Sequence, residues 1–165
     1  MDLRLITAML KNKLPESLTA QMAKAMQTTA KKILFVEDDE NFLNFISELA
    51  KQQFDLCLVC SGRTAEASEK LETEDFDAAI LDVRVTNGNG INLYRKIIDR
   101  WPYLQVIFLT GYDTPQLREQ IEQIGPARIY SKDSMMKPEF FDNLMNQLGV
   151  TKHNAMFEPE RLSTV

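Results

Sequence analysis

Side chains that can bind a metal ion and a phosphate group follow several short apolar runs in this sequence. Glu37 and Asp38 come directly after ILFV, Asp82 lies near the end of DAAILDV, Thr110 ends QVIFLT, and Lys132 closely follows ARIY. Carboxylates held together repel and raise one another's pKa values, so we expect a cation among them. Mg²⁺ is predicted because it prefers oxygen ligands and combines few carboxylates with waters and phosphate oxygens. The hydroxyl and the lysine suit a doubly charged phosphoryl group.

The elements that position these residues can be predicted from the alternation of apolar runs and amphipathic stretches. Continuous apolar runs predict buried strands at 33–36, 55–60, 77–83, 105–110 and 127–130. Helical spacing predicts helices between and after them at 40–52, 63–73, 90–100, 114–124 and 138–148. Five strand–helix units in succession predict an α/β fold with a doubly wound parallel sheet and helices on both faces. Ligands of such sheets bind beyond the carboxyl ends of the strands, where the candidate residues lie.

Four motifs at these strand ends resemble one known family. ILFVEDDE, ILDVRVTNGNG, VIFLTGY and YSK occur in this order, and the spacing of Asp38 from Asp82 and of Thr110 from Lys132 also matches. Over about residues 31–149 the chain resembles the receiver domain of response regulators in two-component signalling. The resemblance implies a flavodoxin-like sheet of five parallel strands in the order 2-1-3-4-5.

The resemblance also implies a function and its partners. Asp82 would accept a phosphoryl group from a phosphohistidine of a sensor histidine kinase or a histidine phosphotransfer protein. Thr110 would move to hydrogen-bond the phosphoryl group, and Lys132 would pair with it. The resulting phosphoprotein would change its contacts with a downstream protein effector. The domain would catalyse its own phosphorylation and dephosphorylation without being a turnover enzyme.

A metal site is implied by the same resemblance. Asp38 and Asp82 would bind Mg²⁺ directly, Glu37 would act through water, and the carbonyl of Arg84 would supply another ligand. Asp39 is predicted to cap the first helix instead, because aspartate before a helical pattern is a favoured N-cap residue.

Three positions depart from the family pattern. Thr86 stands where a proline is usual in the phosphoacceptor loop, so we expect a more mobile loop. Asp133 replaces the proline that usually follows the lysine, so a cis peptide is not expected there. Ile129 occupies the aromatic switch position, with Tyr130 next to it, which puts the usual coupling between threonine and aromatic residue in doubt.

Two other functions compete with the signalling switch. A small phosphatase could use Asp82 as its nucleophile, but the haloacid-dehalogenase pattern needs an acid two residues later, where this chain has Arg84. An unphosphorylated receiver-like scaffold would not need the complete set of acidic, threonine and lysine residues. Cys57 and Cys60 form a CxxC motif, yet residues three apart on a strand point to opposite faces, so we expect two buried structural cysteines.

Charge and apolar patterning divide the chain into three predicted parts. Residues 1–30 form a helical N-terminal extension, 31–150 the receiver domain and 151–165 a C-terminal tail. Leu14, Leu18, Met22 and Met26 recur every four residues in the extension, which favours a helical homodimer. The chain is either a single-domain regulator or a piece of a larger protein.

The overall composition excludes several classes of protein. The net charge is −5, and six basic against two acidic side chains lie in residues 1–32, so the body of the chain is acidic and direct DNA binding is not expected. No apolar run approaches the roughly 20 residues that span a bilayer. No signal peptide is recognisable, and a cytoplasmic location is therefore expected.

Overall fold

The computed structural model describes residues 30–137, 139–150 and 152. The strands are β1 (Lys31–Val36), β2 (Leu56–Ser61), β3 (Ala78–Leu81), β4 (Arg84–Val85), β5 (Gly88–Asn89), β6 (Gln105–Thr110) and β7 (Arg128–Ser131). The helices are α1 (Glu40–Gln53), α2 (Thr64–Thr73), α3 (Gly90–Arg100), α4 (Pro115–Glu122) and α5 (Phe140–Gln147), with a 3₁₀-helix (Lys132–Met136) before α5.

Five of the strands form one parallel sheet in the order β2-β1-β3-β6-β7. Since β6 and β7 are the fourth and fifth strands of this sheet along the chain, the predicted order 2-1-3-4-5 is confirmed. Strands β4 and β5 pair with each other as a separate antiparallel hairpin that follows β3. The sequence analysis did not predict this hairpin.

Alternating side chains of the strands build two cores, one on each face of the sheet. On β1, Leu34 and Val36 pack with residues of α2, α3 and α4, among them Tyr94 and Ile97. Ile33 and Phe35 point to the opposite face, where they pack with residues of α1 and α5 such as Ile46. Each central strand is therefore buried on both sides, as its continuous apolar run predicts.

Several predicted boundaries shift by one or two residues, and two shifts affect the candidate site. β3 ends at Leu81, so Asp82 follows the strand and does not belong to it, contrary to the predicted run 77–83. β7 reaches Ser131, one residue beyond the predicted 127–130, so Lys132 follows that strand directly. The last helix begins at Phe140 and not at 138, and the 3₁₀-helix Lys132–Met136 precedes it.

The expectation of two buried cysteines is wrong for Cys57. Its side chain is exposed and that of Cys60 is half-buried, because β2 lies at the edge of the sheet and has a neighbour on one side only. Both thiols are free.

Some predictions fall outside the described residues. These are the helical extension (1–30, of which only Ala30 is described), its apolar stripe with the inferred homodimer, and the tail (151–165, of which only Lys152 is described). They stay predictions. Among the helices of the described part, none is both long enough and apolar enough to cross a membrane. The expected cytoplasmic location also stays a prediction.

Candidate functional site

The strand-end cluster, which we define as Glu37, Asp38, Asp82, Thr110 and Lys132, forms at one edge of the sheet. Val36 and Leu81 are register partners on β1 and β3, and the Asp82 N–H donates to the Val36 carbonyl at 2.9 Å. Thr110 is in register with Ser131, the residue before Lys132. The parallel register therefore brings together residues that lie far apart in the sequence.

Lys132 connects two buried carboxylates of the cluster. Its Nζ lies 2.5 Å from Glu37 Oε2 and donates a hydrogen bond of 2.8 Å to Asp82 Oδ2. Glu37 is only 1% exposed and Asp82 only 6%. The ammonium also sits 4.6 Å from the centre of the Phe42 ring, a contact that the sequence analysis missed. Lys132 thus balances part of the negative charge that the sheet edge buries.

Burial and pairing shift the pKa values of this ion pair. Burial raises the pKa of Glu37 above its usual range, although hydrogen bonds from Lys132 and from the Asp39 N–H oppose that rise. Burial lowers the pKa of Lys132, but its hydrogen bonds to Asp82 and Glu37 outweigh this effect and raise it overall. Lys132 is therefore held as a cation while Glu37 is ionised at a cost.

We expect Glu37→Gln to show this cost as a pH-dependent change in stability. Because the pKa of Glu37 is raised in the folded state, its stabilising contribution is present below the pKa of the unfolded chain and is lost as pH rises through the folded-state pKa. The free energy of unfolding of Glu37→Gln should therefore increase relative to wild type as pH rises above the pKa of a glutamate in the unfolded chain, about 4.3.

Chemical denaturation of both proteins without metal across this pH range would measure the difference. Glu122→Gln, which changes an exposed carboxylate on α4, should show a flat difference and serves as the control. A difference for Glu37→Gln that shifts in favour of wild type as pH rises would contradict the prediction.

Asp38 is held by the hairpin that follows Asp82. Its Oδ2 accepts a hydrogen bond of 2.7 Å from the Thr86 N–H and a second, short one from the Thr86 hydroxyl. These bonds, above all that from the hydroxyl, lower the pKa of Asp38. Asp39 instead caps α1: its side chain accepts hydrogen bonds from the N–H groups of Asn41 and Phe42, as predicted.

Two exposed side chains cover the surface beside Asp82. The Arg84 guanidinium stacks 3.8 Å from the centre of the Tyr112 ring, and the Arg84 N–H donates to Asp82 Oδ1 at 3.3 Å. The Thr110 hydroxyl accepts a bond of 3.2 Å from the Tyr112 N–H, and Thr110 itself is 1% exposed. The Tyr112 N–H is therefore bonded to the hydroxyl of Thr110, the residue that the resemblance expects to move.

The donors of the cluster fit Mg²⁺. Asp38, Asp82 and Glu37 offer hard oxygen ligands at the ends of two neighbouring strands, and a single lysine leaves their negative charge incompletely balanced. Across the described residues, no three histidine, cysteine, aspartate or glutamate side chains form a ready-made metal cluster. Mg²⁺ does not require one, because it is commonly bound through one or two carboxylates, waters and phosphate oxygens.

Two of the three positions that depart from the family pattern, Ile129 and Asp133, lie on β7 and in the 3₁₀-helix that follows it. Ile129 packs against the core on the α2–α4 face, whereas Tyr130 points to the opposite face and packs edge-on against Phe140 at 5.6 Å. No aromatic side chain of β7 thus replaces the missing switch residue on that face. Asp133 is the second residue of the 3₁₀-helix, and its N–H donates to Ser131 Oγ. All peptide bonds among the described residues are trans, as expected at this position.

A further residue that the sequence analysis missed is Gly90, the first residue of α3. A Cβ at this position would overlap the carbonyl oxygen of Asp82 and lie 3.3 Å from Val83 Cα. The Gly90 N–H also donates to the Val83 carbonyl at 3.0 Å. Gly90 therefore allows the helix to approach the backbone that carries Asp82, and its place as the last residue of the motif ILDVRVTNGNG was the signal for it in the sequence.

Comparison with known proteins identifies the family. The sequence profile of the response regulator receiver domain matches residues 33–146. The chain belongs to the response regulator receiver family. The receiver protein CpdR of Brucella abortus is 28% identical over 119 residues, which cover 72% of this chain and 93% of CpdR. Among solved structures, a CheY-like receiver from Methanospirillum hungatei has a TM-score of 0.63 at 21% identity and covers 73% of this chain and 95% of that one.

Other relatives are longer than this receiver. The DNA-binding transcriptional activator DevR/DosR of Mycobacterium tuberculosis is 34% identical over 103 residues, covering 62% of this chain. The match spans about half of DevR/DosR, namely 48% of its length. The activated receiver domain of Klebsiella pneumoniae RstA, at 26% identity and a TM-score of 0.62, covers 71% of this chain and 97% of that domain. Receiver domains of this family act in two-component signalling.

Proposed function

We propose that this chain is a phosphorylation-dependent signalling switch with Asp82 as its phosphoacceptor. The observation that carries the proposal is the contact of Lys132 with both Asp82 and Glu37 at the strand ends. A lysine paired with a carboxylate at this edge can pair with a phosphoryl group once the carboxylate is phosphorylated. Membership of the receiver family supports the same assignment.

In the proposed reaction, an Asp82 carboxylate oxygen attacks the phosphorus of a phosphohistidine. The new P–O bond forms as the P–N bond breaks, and the imidazole leaves with the bonding electrons and takes up a proton. Lys132 attracts the phosphoryl oxygens, and the Thr110 hydroxyl donates to one of them. Because a hydroxyl can accept and donate at once, Thr110 can make this bond while it still accepts from the Tyr112 N–H.

Mg²⁺ would neutralise charge on the phosphoryl oxygens and align them for displacement. Asp38 and Asp82 would bind it directly, Glu37 through water, and the Arg84 carbonyl would complete the protein ligands. The proposed phosphodonor is a histidine kinase or a histidine phosphotransfer protein, and the proposed receptor of the signal is a downstream protein effector. Catalysis of transfer and of dephosphorylation by the domain itself belongs to this proposal.

A phosphatase that uses Asp82 as nucleophile is less well supported. Such an enzyme needs a general acid close to its nucleophile, and the residue two positions later is Arg84, whose guanidinium stacks on Tyr112. The ionised partner nearest to Asp82 is Lys132, whose raised pKa makes it a poor proton donor.

The two functions differ in the stoichiometry of phosphate transfer. With Mg²⁺ and acetyl phosphate, the switch should take up one base-labile phosphoryl group per chain, and phosphate release should then be no faster than the decay of the isolated phosphoprotein. Intact-mass spectrometry and a phosphate-release assay would measure both quantities. Release of many phosphates per chain while little phosphoprotein accumulates would favour the phosphatase, and the absence of any phosphoprotein would overturn the switch.

A further inference from the structure

Asp38 is bound through one of its two carboxylate oxygens by a residue 48 positions away in the chain. Both the N–H and the hydroxyl of Thr86 donate to Oδ2. An ionised carboxylate has two oxygens with about four acceptor positions in total, so these two donors leave Oδ1 available to another ligand. The contact therefore fixes the carboxylate without occupying both oxygens.

The position of Thr86 in the fold explains how it makes both bonds. It lies in the two-residue turn between β4 and β5, whose pairing sets the turn. Asn87 completes the turn with φ of 57°, a left-handed conformation that asparagine tolerates better than most residues. A proline at position 86 would have neither an N–H nor a hydroxyl, so the residue usual in the family could make neither bond.

We propose that Thr86 is the positioning residue for Asp38, holding Oδ2 so that Oδ1 is presented to the divalent cation. This role rests on the proposed function. Groups that hydrogen-bond a metal-binding side chain orient it, and their loss typically costs 10- to 100-fold in metal affinity.

Mg²⁺ binding by the full chain, measured calorimetrically without any phosphodonor, tests the proposal. Thr86→Val removes the hydroxyl but keeps the N–H and nearly the same side-chain volume, and should raise the Kd for Mg²⁺ about 10-fold. Thr86→Ser keeps both donors and should stay within about twofold of wild type. Thr73→Val is the matched control, since it removes a threonine hydroxyl that bonds only within α2.

A second measurement separates positioning from a merely structural effect. With acetyl phosphate, the Mg²⁺ concentration for half-maximal phosphorylation of Thr86→Val should rise about 10-fold, while the rate at saturating Mg²⁺ equals that of wild type. A reduced rate at saturating Mg²⁺ with unchanged Mg²⁺ affinity would overturn the proposal.

The outcomes also distinguish this proposal from the one on which it rests. If wild type binds Mg²⁺ and Thr86→Val binds it equally well or more tightly, the role of Thr86 is overturned while the proposed switch stands. If wild type takes up no phosphoryl group and binds no Mg²⁺, the proposed function itself fails.

Discussion

Asp82→Asn will abolish phosphoryl incorporation into this receiver. The substitution keeps the shape of the side chain but removes the anionic oxygen that attacks phosphorus, so no P–O bond can form at this position. Intact-mass spectrometry after incubation of the full chain with Mg²⁺ and acetyl phosphate would show the unmodified mass only.

The control for this experiment is another aspartate replaced in the same way. Asp99→Asn changes an exposed carboxylate on α3 and should leave phosphoryl uptake at the wild-type level. Uptake by Asp82→Asn equal to that of Asp99→Asn would show that the phosphoacceptor lies elsewhere in the chain. A circular-dichroism spectrum that matches wild type would establish that the loss is chemical.

Much of the sheet could be predicted because its central strands are buried on both faces. Such strands appear in the sequence as continuous apolar runs, and ILFV and QVIFLT are recognisable for that reason. The position of a strand within the sheet is not encoded in the run itself. LCLVC is as apolar as the central strands, yet β2 lies at the edge and exposes Cys57, so the prediction of two buried cysteines failed.

The small elements around the site could not be predicted by pattern. Strands β4 and β5 have two residues each, which is too short for any periodicity to appear. The 3₁₀-helix after Lys132 likewise has no repeat that distinguishes it from the start of the following helix. Neither the hairpin nor the 3₁₀-helix was therefore predicted.

The strand-end cluster could be predicted because parallel strands end at the same edge of a sheet. That rule alone places Glu37, Asp82 and Thr110 near one another once the strands are recognised. The contact of Thr86 with Asp38 depends instead on the turn geometry of the hairpin, and the position of Phe42 below Lys132 depends on side-chain packing. Neither the turn geometry nor the packing follows from the spacing of residues.

Gly90→Ala is expected to destabilise the receiver strongly and to displace Asp82. The added Cβ would overlap the Asp82 carbonyl oxygen and lie 3.0 Å from the Asp82 carbonyl carbon. These are backbone atoms that cannot rotate away, so either α3 or the loop that carries Asp82 must move. Overpacking of this kind costs about 3 kcal/mol, at the upper end of the usual range. Denaturant unfolding would measure the loss, and phosphoryl uptake should fall with it.

Gly111→Ala provides the matched control for that prediction. It is the same substitution beside the same cluster, but a Cβ at Gly111 meets no atom within 4 Å. Its free energy of unfolding should stay within about 0.5 kcal/mol of wild type, as for substitutions that disturb no packing. If Gly90→Ala unfolds within about 1 kcal/mol of Gly111→Ala, the close approach of α3 to Asp82 does not constrain the fold. A large difference between the two variants would assign the constraint to the Asp82 backbone, because chain entropy changes equally in both.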